Sequence, residues 1–303
     1  MRPRTEPPIL DRLIAAAIER IGSRDADAAI LRGLWKSEYV LRLSDVESSF
    51  HLHYLVAQTV GQGCSYYVPS SHEPRLSRVL LGTNVLETRF ESRAVTIATL
   101  DAVFSSLNPP PASSFVLDGS NVAKSVARAE LIAREADALL ASRPPRSGDP
   151  HHVVLVGVVG SLLHALASRG WRLSASDADP AIVGGTVHGV AVAPSSATIE
   201  LVARADLAIV TGMTLATGAL DDILATALAR DTALLIFAET GANFAAEYCR
   251  YGADVVVSEP LPFYLTGAGP SQIGVYRSAG KSESSESVSM NFPLAERRSS
   301  STR

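Results

Sequence analysis

The chain has 303 residues, 47% of them apolar and 19% charged, a balance that supports a buried core and excludes a largely disordered protein. Its formal net charge of −4 gives no general pull toward nucleic acid or an anionic membrane surface. Two cysteines, Cys64 and Cys249, exclude a disulfide scaffold and a cysteine-rich zinc module; with no apolar run near the ~20 residues of a membrane span, we expect a soluble cytoplasmic protein.

Met1-Arg2-Pro3-Arg4 imitates the start of a signal peptide, but the apolar stretch Leu13 to Ile18 is too short and is flanked by Asp11, Arg12 and Glu19. Leu10, Leu13, Ile14, Ala17, Ile18 and Ile21 repeat at helical spacing and predict a first amphipathic helix ending near Gly22. Val40 to Val68, rich in Tyr, Val, His and Leu, predicts strands joined by turns. Pro69 to Pro74 predicts a polar loop. Val85 to Phe104 predicts a mostly helical segment, stopped by Asn108-Pro109-Pro110-Pro111. Residues 1–112 therefore suggest a small α+β domain. Val122 to Ala141 predicts an amphipathic helix capped by Ser120 or Asn121, and 113–150 a helix and linker. From 151 to 278, short β-branched runs alternate with helical stretches, which predicts a doubly wound α/β domain on a parallel sheet. Residues 279–303, rich in Ser, Glu and Arg, suggest a flexible tail.

In an open parallel sheet, ligands bind beyond the carboxyl ends of the strands. That rule selects five loops. Gly157-Val158-Val159-Gly160-Ser161 follows the first strand and leads into a helix whose N–H groups can meet an anion. It lacks the second and third glycines of a dinucleotide fingerprint, so an alternative is a turn that needs glycine for packing. Asp177 lies 20 positions after Gly157, where a ribose-binding carboxylate falls in a Rossmann unit; it is also a candidate metal ligand, or simply a solvated loop acid. Thr211-Gly212-Met213-Thr214, running on to Gly218, offers hydroxyls and backbone groups for an oxyanion or phosphate. Glu239-Thr240-Gly241-Ala242-Asn243 and Ser258-Glu259-Pro260 close two later strands, so Glu239 and Glu259 are candidate paired carboxylates.

His51 and His53 form an H-x-H pair that shares one face of a strand and can reach one metal, the alternative being two half-exposed strand histidines. His151-His152 is expected to face solvent, and His164 to pack on a helix. Neither cysteine has a C-x-x-C partner. The phosphate loop, nucleophile elbow and H-E-x-x-H motifs do not occur, which disfavours common ATPases, α/β-hydrolases and zinc proteases.

The segment Ala205-Asp206-Leu207-Ala208-Ile209-Val210-Thr211-Gly212-Met213-Thr214-Leu215-Ala216-Thr217-Gly218-Ala219-Leu220-Asp221 resembles the signature of the bacterial and archaeal family labelled "putative heavy-metal chelation". Met213 stands where that family has Thr, and Ala216-Thr217 where it has Ile/Leu-Asn. Gly157-Val158-Val159-Gly160, Asp177 and Tyr251-Gly252-Ala253-Asp254 are similar to further parts of its pattern. Gly82-Thr83-Asn84 with Glu91 through Ala102 resembles its leading domain. The resemblance implies an enolase-N-terminal-like domain on a Rossmann-like domain, with a ligand in the cleft between them. That cleft would be lined by Gly157, Gly160, Ser161, Asp177, Thr211, Gly212, Thr214 and Glu239, with Asn84 and Glu91 on the lid. It also implies a small-molecule or metal-complex binding protein, serving metal handling or metallophore biosynthesis with a divalent or heavy-metal ion. The alternative is an enzyme using NAD(P) or S-adenosylmethionine. Homo-oligomerisation and a tail-mediated scaffold role stay open at this point.

Overall fold

The computed structural model describes residues 7–22, 26–42, 49–68, 76, 79–146, 150–263 and 269–278. The expected loop at Pro69 to Pro74 and tail at 279–303 lie outside them.

α1 (Ile9–Ile21) buries Ile9, Leu13, Ala17 and Ile21, a stripe at i, i+4 spacing, and ends at Gly22, as expected. A three-stranded antiparallel meander follows: β1 (Gly33–Arg42), β2 (Ser49–Gln58) and β3 (Gln62–Tyr66), with Gly33 opposite Gln58 and Val56 opposite Cys64. It begins earlier than the Tyr/Val/His-rich run suggested.

α2 spans only Arg93–Phe104. The expected helix from Val85 does not form because the preceding residues spend their backbone groups elsewhere. Val85 N–H donates to the Ala29 carbonyl, Leu31 N–H to the Thr83 carbonyl, and Ile30 bridges Asn84. α2 is buried on almost every side, which explains why its sequence lacks a polar face. It packs on β2 and β3, and also on the turn Ala242–Phe244. Gly63 lets β3 lie on α2: a Cβ there would stand 2.1 Å from the Ala102 nitrogen.

The larger unit contains β4 (Ser113–Leu117), α3 (Asn121–Ala141), β5 (His152–Val156), α4 (Gly160–Ala167), β6 (Arg172–Asp177), β7 (Thr186–Val187), β8 (Val190–Pro194), α5 (Thr198–Arg204), β9 (Leu207–Thr211), α6 (Met213–Thr217), α7 (Leu220–Arg230), β10 (Ala233–Ala238), α8 (Ala245–Arg250), β11 (Val255–Ser258) and β12 (Ser271–Arg277). Its nine-stranded sheet runs β4-β12-β11-β10-β9-β5-β6-β8-β7. β8, β6, β5, β9, β10 and β11 are parallel; β12 and β7 run antiparallel to them, and the edge strand β4, paired antiparallel to β12, runs in the core direction again. Renumbered from β5, the parallel core has the order 3-2-1-4-5-6, the doubly wound dinucleotide-fold order. The segment 113–150, expected as helix and linker, supplies the edge strand β4 and the covering helix α3. Ser120 caps α3 by accepting from Ala123 N–H at 3.2 Å. Among the described residues, no helix is long and apolar enough to cross a membrane.

The two units meet at Asp101 on α2, which is 1% exposed. Its carboxylate accepts the Cys64 N–H of β3 at 2.8 Å and the Asn243 N–H of the larger unit, also at 2.8 Å. The Asn243 amide donates back to the Asp101 carbonyl at 3.0 Å. Burial pushes this carboxyl up to about 7, against hydrogen bonds that favour its charged form.

Asp101→Asn turns one acceptor into an NH2 facing a backbone N–H, and we expect a loss of about 1–3 kcal/mol in denaturant unfolding. Gly63→Ala, which overpacks β3 against α2 backbone, is expected to cost about 3 kcal/mol in the same assay.

Candidate functional site

The strand order places the topological switch point between β5 and β9, and the loops leaving those strands flank its crevice. Both came from the sequence, and the structure brings them into contact. Gly157 has φ +83°, and a Cβ there would stand 2.2 Å from Thr211 Oγ1. Glycine is thus required by the turn and by Thr211, which supports the packing alternative for this position. Thr211 is 4% exposed, and its hydroxyl oxygen finds no hydrogen-bond partner among the described residues. Thr214 Oγ1 donates to the Thr211 carbonyl at 2.8 Å. Gly212 N–H donates to the Phe237 carbonyl, and a Cβ at Gly212 would stand 2.4 Å from the Thr240 carbonyl oxygen. The loops after β5, β9 and β10 therefore form one continuous rim.

Asp177 ends β6 and folds back on that rim. Its carboxylate accepts Val158 N–H at 2.6 Å and Asp179 N–H at 2.8 Å. Each oxygen thus already has a backbone donor, an arrangement that shapes the loop. Gly160 opens α4, whose N-cap Val159 makes no side-chain cap, and Ser161 shares a hydrogen bond with Ser125 of α3 at 2.8 Å. The small sheet approaches from above: burial raises the Tyr66 hydroxyl pKa, with further contributions from Asp177 and Asp179.

Glu239, just beyond β10, has the richest setting. Arg128 Nη1 donates to its Oε1 at 2.7 Å, and Tyr54 of β2 donates to its Oε2 at 3.1 Å. The same Arg128 nitrogen stands 3.6 Å from Glu259, so the two candidate carboxylates do share a rim, bridged by one guanidinium. Ser271 donates to Glu259 at 2.9 Å, and Lys124 Nζ donates to the Gly269 carbonyl at 3.0 Å. Lys124, Arg128 and Glu259 are buried, while Glu239 keeps 13% of its side chain exposed. Burial raises the Glu239 carboxyl to about 7; Arg128 and Tyr54 oppose the shift and Glu259 adds to it.

Tyr54, Tyr66, Lys124 and Arg128 were not singled out from sequence. For the two cations a signal existed. Lys124, Arg128, Leu131, Ile132 and Glu135 lie at i, i+4, i+7, i+8 and i+11 and are all buried, so the charges sit on the apolar stripe, where unpaired charge is costly.

Other candidates stand apart. Asn84 spends its amide locally, accepting from Leu86 N–H and donating to Glu87, and Glu91 is exposed. Nearby Arg93 docks the small unit instead, donating to the Leu215 carbonyl of α6 at 2.7 Å. His53 lies 4.0 Å from Glu38 and packs on Tyr67; the side chain of His51 lies outside the described residues. His152, expected to face solvent, is buried and bonded to Ser174 at 2.9 Å because it begins the central strand β5. His164, expected to pack, is exposed. Both thiols are buried with raised pKa, that of Cys249 to about 12, so neither is a ready thiolate. Among the described residues, no group of three or more His, Cys, Asp or Glu is placed to hold a metal ion.

A carboxyl held at about 7 in the fold, against 4.5 ordinarily, binds protons more tightly folded than unfolded. Glu239 therefore makes stability fall as pH rises from about 4.5 to 7. We expect Glu239→Gln to flatten that part of the stability curve, measured by denaturant titration across pH.

Residues 146–257 match the model of the family described as "Putative heavy-metal chelation". No curated protein matches the chain. Among solved structures, the chain is similar to a protein of unknown function from Desulfitobacterium hafniense, at 14% identity and TM-score 0.54, covering 88% of this chain and 98% of that one. It is also similar to one from Pyrococcus horikoshii, at 11% identity and TM-score 0.51, covering 88% and 99%. Both belong to the matched family, and at these identities the likeness is one of fold. Residues 146–257, which match that family's model, run from the approach to β5 through β11, the parallel core of the large sheet.

Proposed function

We propose that the chain is a cytoplasmic protein that binds a small molecule or metal complex where the small sheet overhangs the carboxyl rim of the parallel sheet. One observation carries this reading: Glu239 is gripped by Arg128 from one unit and Tyr54 from the other, and still reaches solvent. A carboxyl near neutrality at such a junction accepts or donates a hydrogen bond according to its ligand. The metal would arrive with donors of its own. The buried thiols are protonated at neutral pH, and the rim carboxylates already accept hydrogen bonds, so the described residues do not supply a soft-metal cage. Glu239, Tyr54 and the Thr211 hydroxyl are the groups that would orient such a complex.

A nucleotide-type cofactor is the second reading, favoured by the strand order. Against it, Asp177 is engaged by two backbone donors, and Val159 stands where the fingerprint needs glycine.

Native mass spectrometry of tag-free protein purified without chelator tests both. We expect an adduct above the 32.0 kDa chain whose occupancy falls in Tyr54→Phe and Glu239→Gln. A nucleotide-sized adduct unaffected by either substitution would transfer the assignment to the second reading.

A further inference from the structure

A pair of histidines, one on α4 and one in the β7–β8 turn, is used by none of the cleft contacts described above. β7 and β8 form a hairpin whose two turn residues, His188 and Gly189, have φ of +47° and +78°. A two-residue hairpin turn of type I′ has positive φ at both central positions, which matches the twist of the strands. Glycine meets that demand freely, whereas His188 meets it at a cost in strain. The turn carries the His188 ring to α4, where Nε2 stands 3.8 Å from the position a Gly160 Cβ would take. One helical turn along, His164 faces the same ring, with centroids 5.0 Å apart and planes inclined by 57°. Both residues are exposed, so burial of apolar surface does not account for the pairing.

Two imidazoles on one tetrahedral ion, with metal–nitrogen bonds of roughly 2.0–2.1 Å, place their ring centres roughly 5 Å apart. We propose that His164 and His188 form a two-imidazole site for a divalent transition ion of the class that favours nitrogen donors, such as zinc, nickel or cobalt. The α4 N-terminus opposes a cation by only about 0.3–1 kcal/mol at an exposed position, which two coordinate bonds outweigh. Two protein donors leave the remaining positions to water or to a donor on a bound ligand. The site shares neither of its two ligands with the Glu239 cleft and is tested independently of it.

The test is zinc titration by calorimetry on tag-free full-length protein, with cobalt substitution to read coordination by visible absorption. We expect one ion per chain and a tetrahedral cobalt spectrum. His164→Ala and His188→Asn should each weaken zinc binding roughly tenfold or more; asparagine preserves tolerance of the left-handed turn. His53→Ala should leave binding unchanged. Absence of zinc binding in the wild type, wild-type affinity in the double variant, or loss of binding in His53→Ala would each overturn the site.

Discussion

A single buried carboxylate holds the two units of this protein in register. Asp101 has no cation within hydrogen-bonding reach in the contacts described; it is stabilised by the N–H groups of Cys64 and Asn243, one from each unit. A buried charge tolerates such surroundings only when donors point at it from fixed backbone. The consequence reaches the rim. Cys64 begins the stretch of β3 that leads to Tyr66, and Asn243 ends the loop that starts at Glu239. Fixing those two N–H groups on one side chain fixes the overhang of the small sheet above the cleft. Further bonds run alongside: Gly241 N–H donates to the Cys64 carbonyl, and Tyr66 N–H donates to Thr240 Oγ1 at 2.9 Å.

The second constraint is charge balance. Arg128 stands between Glu239 and Glu259, and Lys124, one turn earlier on the same stripe of α3, is buried as well and donates to the Gly269 carbonyl. Buried ion pairs add little net stability, because desolvation offsets attraction, yet removing one partner is costly. Such a quartet is better understood as a device for position than as a source of stability. Arg128 also lies over the Phe237 ring at 4.8 Å, which further restricts its guanidinium. Glu239 is the member of the four that keeps contact with solvent, and so it is the one whose protonation can answer to a ligand.

The glycines at the switch point illustrate how the same residue type serves different ends. In a dinucleotide site, glycine clears space for a pyrophosphate. Here the space beside Gly157 is taken by Thr211, and that beside Gly212 by the Thr240 carbonyl. The loops are packed against each other, and of the groups at the rim Glu239 keeps part of its side chain in solvent, while the Thr211 hydroxyl is enclosed beside Gly157. The His164–His188 pair joins α4 to the tip of the β7–β8 hairpin, and both rings are exposed.

Much of the architecture was legible in sequence because it depends on local pattern. The stripe of Leu13, Ala17 and Ile21 specifies α1, and the β-branched runs at 153–156, 207–210 and 255–257 specify strands buried on both faces. Punctuation at Gly22 and Pro109 to Pro111 marks element ends. The loops of the rim followed, since a parallel sheet exposes its carboxyl edge wherever its strands end. Other features depend on residues distant in the chain. The helix expected from Val85 gave way to pairing with Ala29 and Ile30, and Ser113–Leu117 became a strand because β12 offered it an edge. The bridging of Glu239 and Glu259 by Arg128, the welding of Cys64 to Asn243 through Asp101, and the approach of His188 to His164 each join segments far apart in sequence. Spacing along the chain determines which residues share a helix stripe or a strand face; only packing of the whole sheet decides which of those stripes and edges meet.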